Sequence, residues 1–239
     1  MVDGRHPVEC FRQQLCVCDC YPAGVVPVSE FIGGTAAFPA GCGLYRANYD
    51  GALPRFPYGG VMVVAHNVDA EDKFQERLAA KLPHGGAVKT MAYWRGMYRL
   101  LDAAGIGREE CYFTNVYVGL KAGAKPEGSL RVGRHAAFRE WCSSFLEEQV
   151  REMRPRAVAV MGVNAWMFLG DMVPELNGWL NRPVPAAVTR LALGEHETVA
   201  VPLLHPSGQA RFMERVRGYR SVEGALASEA GLLRRAAGG

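Results

Sequence analysis

The 239-residue chain lacks the features that assign a protein at once to several large classes. No apolar run approaches the roughly 20 residues that a membrane helix needs, and the first residues show no signal-peptide pattern. Neither a Walker-type loop nor a G-x-G-x-x-G loop is present, which argues against an NTPase or a dinucleotide enzyme. We therefore expect a cytoplasmic protein with no membrane partner and no nucleotide cofactor.

The sequence also lacks any C-x-x-C pair. An odd number of cysteines in a chain expected in the cytoplasm argues against a disulfide framework. Three N-terminal cysteines occupy alternate positions, so on a strand they would share one face. A zinc or iron–sulfur site there is an alternative that the spacing does not favour, and we expect no cofactor and no metal. The seven cysteines are Cys10, Cys16, Cys18, Cys20, Cys42, Cys111 and Cys142.

Strong positive charge is absent as well, because the formal net charge is only +3. Its distribution is more informative than its sum. Four arginines lie between residues 211 and 220, close to a candidate site discussed below. A basic stretch beside a site is what contact with nucleic-acid phosphates requires, although a solvated helix face explains it equally well.

The order of predicted elements indicates the fold class. Residues 1–57 are rich in Gly, Pro and Cys, and we expect an irregular N-terminal region packed on a single α/β domain that spans 58–239. Strands alternate with helices, which predicts a mainly parallel sheet covered on both faces. Strands are expected at 60–65, 111–118, 156–161, 188–193 and 198–204. Helices are expected at 70–82, 88–104, 134–153, from 164, at 209–217 and at 222–235.

Polar residues cluster where the predicted strands end. In parallel sheets, sites lie beyond the carboxyl ends of the strands. His66, Asn67 and Asp69 follow the first strand, Asn115 lies in the second, and His205 follows the last. The sequence therefore predicts that these side chains converge on one pocket.

The order of these motifs resembles the uracil-DNA glycosylase superfamily. The segment AHNVD stands where the mismatch-specific branch has Gly-Ile-Asn-Pro-Gly, so Asn67 matches the motif Asn. AYWRGMYRLLDAAGI is similar to that branch's Phe-Trp-x-x-Leu…Ala-Gly element, and CYFTNVYVGL to the strand that carries a base-reading Asn. EQVREMRPRAVAVMGVNAW and the final His-Pro-Ser-Gly complete a resemblance over residues 61–217. It implies a three-layer α/β/α fold.

The resemblance also implies a reaction. The protein is expected to be a monofunctional DNA glycosylase, which flips a base out of DNA and hydrolyses its N-glycosidic bond. His205 would donate a hydrogen bond to the departing base, and Asn67 would hold the attacking water. Asp69 would orient or deprotonate that water, unless it merely caps the following helix. His66 is the alternative base.

Further residues would bind the substrate. Tyr93 or Trp94 would stack on the flipped base and Asn115 would read its edge, although all three side chains could instead serve the core. Flanking phosphates would be gripped by the main chain and side chains after His205, and the vacated position in the duplex would be filled from the same loop. The candidates for these two tasks are Ser207, Gly208, Gln209 and Arg211.

Departures from the family pattern concern the substrate. Ala65, Val68 and Asp69 replace the Gly, Pro and second Gly of the first motif, and the gap before Tyr93 is long. Both changes favour a bulkier modified pyrimidine over uracil, as found in phage DNA, and hence a role in defence rather than DNA repair. We expect a monomer acting on single-stranded or duplex DNA. The alternatives are a non-catalytic nucleic-acid-binding member of the same fold and a small-molecule nucleosidase.

Overall fold

The computed structural model describes residues 5–28, 55–79, 92–124, 135–172, 189–206 and 217–238. Its helices are α1 (Pro7–Val17), α2 (Glu71–Ala79), α3 (Ala92–Ala104), α4 (Ala136–Met153), α5 (Val163–Met172) and α6 (Val222–Ala236), with a short 3-10 helix at Arg108–Glu110. Its strands are β1 (Val25–Val26), β2 (Val61–Ala70), β3 (Cys111–Lys121), β4 (Ala157–Met161), β5 (Thr189–Leu193) and β6 (His196–Leu203).

The six described strands form one sheet in the order β1-β3-β2-β4-β6-β5. The four central strands run parallel, while β1 and β5 pair antiparallel at the two edges. Apolar β-branched runs such as Ala157–Met161 are typical of strands buried on both faces. The predicted α/β fold with a central, mainly parallel sheet is therefore confirmed.

Helices cover both faces of this sheet. On one face, Met62 and Val64 of β2 belong to an apolar cluster that includes residues of α1, α4 and α5. On the other face, Val61 and Val63 pack in a second cluster with residues of α3 and α6. Successive residues of a strand point to opposite faces, so one short run of β2 supplies both halves of the core.

Gln149 of α4 provides a polar contact within the first cluster. Its side chain is fully buried, and its Oε1 accepts hydrogen bonds from the Tyr112 hydroxyl at 2.9 Å and the Thr114 hydroxyl at 2.7 Å. Its Nε2 donates to the Phe145 carbonyl at 3.1 Å. One amide thereby satisfies two buried hydroxyls of β3 and ties this strand to α4.

The N-terminal region is more regular than the sequence interpretation allowed. Residues 7–17 form α1, whose first turn is capped by the His6 ring accepting from the Val8 N–H at 3.3 Å. Val8, Phe11 and Leu15 recur at helical spacing and are buried in the first cluster. We missed this helix because the surrounding Gly, Pro and Cys residues obscured a stripe only three residues long.

The three alternating cysteines do not lie on a strand, so they do not share a strand face. Cys16 lies in α1, whereas Cys18 and Cys20 follow the end of that helix. The Sγ atoms of Cys18 and Cys20 are 3.5 Å apart, and burial raises the pKa of Cys18 to about 12. No group of three or more potential metal ligands occurs among the residues that the structure describes.

The end of β2 differs from the sequence prediction. β2 continues to Ala70 instead of ending near Ala65, so residues 66–69 lie within a strand. Its pairing with β3 slips between Asn67 and Asp69, which is the mark of a β-bulge. The predicted helix at 209–217 lies almost entirely outside the described residues. In the described ranges, no helix is long and apolar enough to cross a membrane.

Candidate active site

His66 and Asn67 form a hydrogen-bonded pair on β2. His66 Nδ1 lies 2.9 Å from Asn67 Oδ1, an atom that only accepts, so the proton of the neutral ring resides on Nδ1. The lone pair of Nε2 is then the basic position of His66. Its ring meets Tyr117 edge to face, with centroids 5.5 Å apart. Burial lowers the pKa of His66, and the bond to Asn67 opposes this shift.

His205 stands two residues beyond the end of β6, at the same end of the sheet. Its side chain is exposed, and its ring lies 5.2 Å from that of Tyr93 near the start of α3. Surrounding protein lowers the pKa of His205, and the charge of His66 lowers this pKa further. The strand register places Val64 of β2 and Pro202 of β6 at the same level, opposite Val160 of β4, so His66 and His205 follow at the same end of the sheet. There, each histidine disfavours a second positive charge.

Two glycines allow the loop carrying His205 to sit close to its neighbours. At Gly96 of α3, a Cβ atom would lie only 2.1 Å from the Pro206 carbonyl oxygen. Gly162, just after β4, has φ +81° and lies against His205, whose Cβ would be 3.3 Å from an added methyl. Both positions therefore favour glycine, one for close approach and the other for a left-handed backbone as well.

The two neighbouring aromatic residues of α3 occupy different environments. Tyr93 is half-buried and faces His205, whereas Trp94 is buried in the second apolar cluster. The Trp94 ring packs against Phe113 with centroids 5.3 Å apart. Tyr93 is therefore the ring available for stacking beside His205, and Trp94 supports it from the core.

Asn115 lies in the sheet opposite Ala65 of β2, two residues beyond Phe113 on the same strand. Only 6% of Asn115 is exposed, and its amide makes no side-chain hydrogen bond with the described part of the chain. Buried amides ordinarily have partners, so this side chain is suited to a polar group of a bound ligand.

The structure does not describe the side chains of the remaining predicted site residues. The backbone of Asp69 pairs with Leu120 of β3, but its side chain lies outside the description. The predicted DNA contacts Ser207, Gly208, Gln209 and Arg211 also fall outside the described residues. Their roles stay predictions.

Three residues that contact the His205 loop, or the residue that does so, were not predicted from the sequence. Gly96 seats the His205 loop, as described above. The buried carboxylate of Glu229 accepts from the Leu204 N–H at 2.8 Å, and Arg217 lies beside it. A usable signal existed for Glu229, because it interrupts the apolar stripe of α6 that includes Ala225 and Leu233.

Comparison with known families agrees with this geometry. The family model described as the uracil DNA glycosylase superfamily matches residues 85–226. The match covers more than half of the chain, and the chain belongs to this superfamily. Membership indicates DNA glycosylase activity. Such an enzyme is a hydrolase that acts in base excision, and its substrate is DNA. No curated protein matches the chain.

The matched region includes α3, Asn115 and His205, but begins after the first motif. The family match does not include Asn67. The assignment of Asn67 to the first motif rests on the sequence resemblance, and the structure places this residue in β2.

Proposed function

We propose that this protein is a monofunctional DNA glycosylase that hydrolyses the N-glycosidic bond of one flipped-out base and leaves an abasic site. The arrangement of His66, Asn67, Tyr93 and His205 at one end of the sheet carries the proposal. These four residues come from β2, from α3 and from the loop after β6, which are distant in sequence. They combine two imidazoles, one amide and one aromatic ring.

The chemistry needs stabilisation of charge more than a strong acid. Breaking the glycosidic bond places negative charge on the departing base and positive charge on the sugar. The lowered pKa of His205 keeps its ring neutral near pH 7, so it acts as a hydrogen-bond donor to a pyrimidine carbonyl. A neutral imidazole in this role favours the charge that appears in the transition state.

Asn67 would hold the attacking water. One lone pair of its Oδ1 is used by His66, which fixes the direction of the amide and leaves the second lone pair for water. His66 Nε2 is a candidate to receive the proton of that water, with Asp69 as the other candidate. The hydrogen bond between His66 and Asn67 supports a role for His66 in orienting the Asn67 amide, whichever residue receives the proton.

The base would lie between Tyr93 and Asn115. Tyr93 offers a half-buried ring for stacking, and Asn115 offers an amide for the edge of the base. We propose a pyrimidine substrate, either uracil or a bulkier modified pyrimidine of phage DNA, because Ala65 and Val68 replace the family's Gly and Pro. In the second case the enzyme would serve defence rather than repair.

A base-release assay tests the reaction. DNA oligomers would carry uracil, mismatched thymine, hypoxanthine, hydroxymethylcytosine or glucosylated hydroxymethylcytosine, and abasic sites would be detected by cleavage with alkali. We expect wild type to release one of these bases and to leave the strand intact without alkali. His205→Ala and Asn67→Ala should each slow release by about 100-fold or more.

His135→Ala is a matched control, because His135 is exposed and its side chain makes no capping bond to α4. Its activity should equal that of wild type. Full activity in His205→Ala would refute the assigned role of His205. Retained DNA binding without release of any base would favour the non-catalytic alternative, and DNA binding indifferent to salt would favour the nucleosidase.

A further inference from the structure

The last residues of β6 have one edge that no described strand covers. β6 pairs with β4 as far as Leu203, and the Gly162 N–H donates to the Leu203 carbonyl at 2.9 Å. On its other side, β6 pairs with the described part of β5 only as far as Ala200. Peptide groups along a strand alternate in direction, so the Pro202 carbonyl and the Leu204 N–H point toward this open edge.

Within the described residues, an arginine and a glutamate occupy that edge. Arg217 Nη2 donates to the Pro202 carbonyl at 2.6 Å, and the Leu204 N–H donates to Glu229 Oε2 at 2.8 Å. The two side chains form an ion pair with 3.4 Å between Arg217 Nη1 and Glu229 Oε1. The Tyr219 hydroxyl also donates to Glu229 Oε1, at 2.9 Å.

Burial makes this arrangement specific. The side chains of Arg217 and Glu229 are only 2% and 6% exposed. A buried ion pair adds little net stability compared with apolar side chains of the same volume, because desolvation offsets the attraction. Its hydrogen bonds do define direction, and both backbone bonds are made to the residues just before His205. The network therefore constrains the peptide that delivers the imidazole.

We propose that Glu229, held by Arg217 and Tyr219, is a positioning residue for His205. It fixes the Leu204 N–H and thereby the direction in which the chain leaves β6. The catalytic consequence rests on the function proposed for His205, whereas the structural consequence does not. A misplacement of about 1 Å in a catalytic group can slow a reaction by about 100-fold.

Three substitutions test the proposal. Glu229→Leu fills the space without an acceptor, Glu229→Gln keeps an oxygen for the Leu204 N–H, and Glu223→Gln alters an exposed residue of the same helix. The measurements are kcat and KM on the oligomer that wild type cleaves, thermal unfolding, and the NMR signals of the His205 ring.

We expect Glu229→Leu to lower kcat by about 100-fold, with KM within about twofold of wild type and the His205 ring signals displaced. Glu229→Gln should recover most of this loss and remain within about tenfold of wild type, because its one amide oxygen still accepts from the Leu204 N–H. Its NH2 group replaces the oxygen that faces Tyr219 and Arg217, so those two contacts are not kept as they are in wild type. Glu223→Gln should match wild type in kcat, in KM and in the His205 signals.

The proposal is overturned if Glu229→Leu keeps the wild-type kcat and His205 signals, or if its loss of rate merely follows its unfolded fraction. Should Glu229→Leu not fold, Tyr219→Phe removes one donor to the same carboxylate, and displaced His205 signals in this variant support the proposal, while unmoved signals overturn it. If wild type releases none of the bases, the proposed function fails, but the NMR comparison still decides whether Glu229 positions His205.

Discussion

Replacing Gly96 with alanine tests how tightly the loop carrying His205 is seated on α3. The new Cβ would lie 2.1 Å from the Pro206 carbonyl oxygen and 3.1 Å from the Pro206 Cβ. Ordinary contacts begin at 3.4 Å, so the closest approach is about 1.3 Å too short. The obstructing oxygen belongs to the backbone, and rotation of a side chain cannot relieve the clash.

We expect Gly96→Ala to lower activity far more than stability. Pro206 directly follows His205, so a backbone movement of this size displaces the imidazole and should slow base release by about 100-fold. Overpacking costs about 1–3 kcal/mol, while alanine in place of glycine within a helix contributes about 1 kcal/mol of stabilisation. The net loss in the free energy of unfolding is therefore about 0–2 kcal/mol, which leaves the protein folded.

Gly231→Ala in α6 is the matched control. It makes the same substitution within a helix, but the nearest atom to the new methyl is Arg235 Nη1 at 3.6 Å, an ordinary contact. This variant should gain about 0.5–1 kcal/mol of stability and keep its activity. Single-turnover base release and thermal unfolding of both variants provide the comparison. A wild-type rate in Gly96→Ala would refute the reasoning.

Four other predictions concern protonation, buried polar groups and thiols. Because the surrounding protein lowers the pKa of His66 and of His205 from the ordinary 6.5, single-turnover rates should be constant from about pH 7 to 8 and fall as acidification protonates the two rings. A rate that rises on acidification would contradict neutral imidazoles. Because both pKa values are lower in the folded state than in the unfolded state, the free energy of unfolding should be highest above pH 6.5 and should decrease as the pH falls toward the folded-state pKa values. Denaturant titrations at several pH values can measure this decrease. Gln149→Ala removes the acceptor that the amide provides to the hydroxyls of Tyr112 and Thr114, and it should lower the free energy of unfolding by about 2–4 kcal/mol. A loss below about 1 kcal/mol in chemical denaturation would show that other partners replace the amide. Burial raises the pKa of Cys18 to about 12, so little of the reactive thiolate is present at pH 8. Cys18 should therefore react with iodoacetamide about 1000-fold more slowly than an ordinary thiol. Rapid labelling of Cys18, measured by mass spectrometry, would contradict its burial.

Local patterns were sufficient to predict the fold. Runs such as VMVV in β2 and AVAVM in β4 are too short and too β-branched for helices, and amphipathic stretches separate them. The extension of β2 to Ala70 was not predictable in this way, because it depends on continued pairing with β3 as far as Lys121. Polar residues 66–69 resemble a loop until the neighbouring strand is known.

The common location of several candidate site residues was predictable from the ordered motifs. His205, Tyr93 and the His66–Asn67 pair reach the same end of the sheet, as the positions of the strand ends indicated. Which of Tyr93 and Trp94 faces the site was not predictable, since one residue of rotation along α3 decides it. The sequence marks Glu229 only as a charged residue within the apolar stripe of α6. Its contact with the backbone of Leu204, 25 residues away in sequence, could not be predicted because no motif marks such a contact.

The described residues of the candidate site stabilise one of the two charges that the reaction creates better than the other. The lowered pKa values of His66 and His205 favour their neutral forms. Asn115 carries no charge, and burial raises the pKa of Tyr93 and so favours its neutral form too. Dipoles of this kind meet the negative charge of a departing base, but they do little for the positive charge on the sugar. That charge needs an anion, and the candidates are the Asp69 carboxylate and the DNA phosphates themselves. Asp69→Asn therefore separates the two sources: a loss in kcat comparable to that of Asn67→Ala assigns the task to Asp69, whereas near-normal kcat assigns it to the substrate's own phosphates.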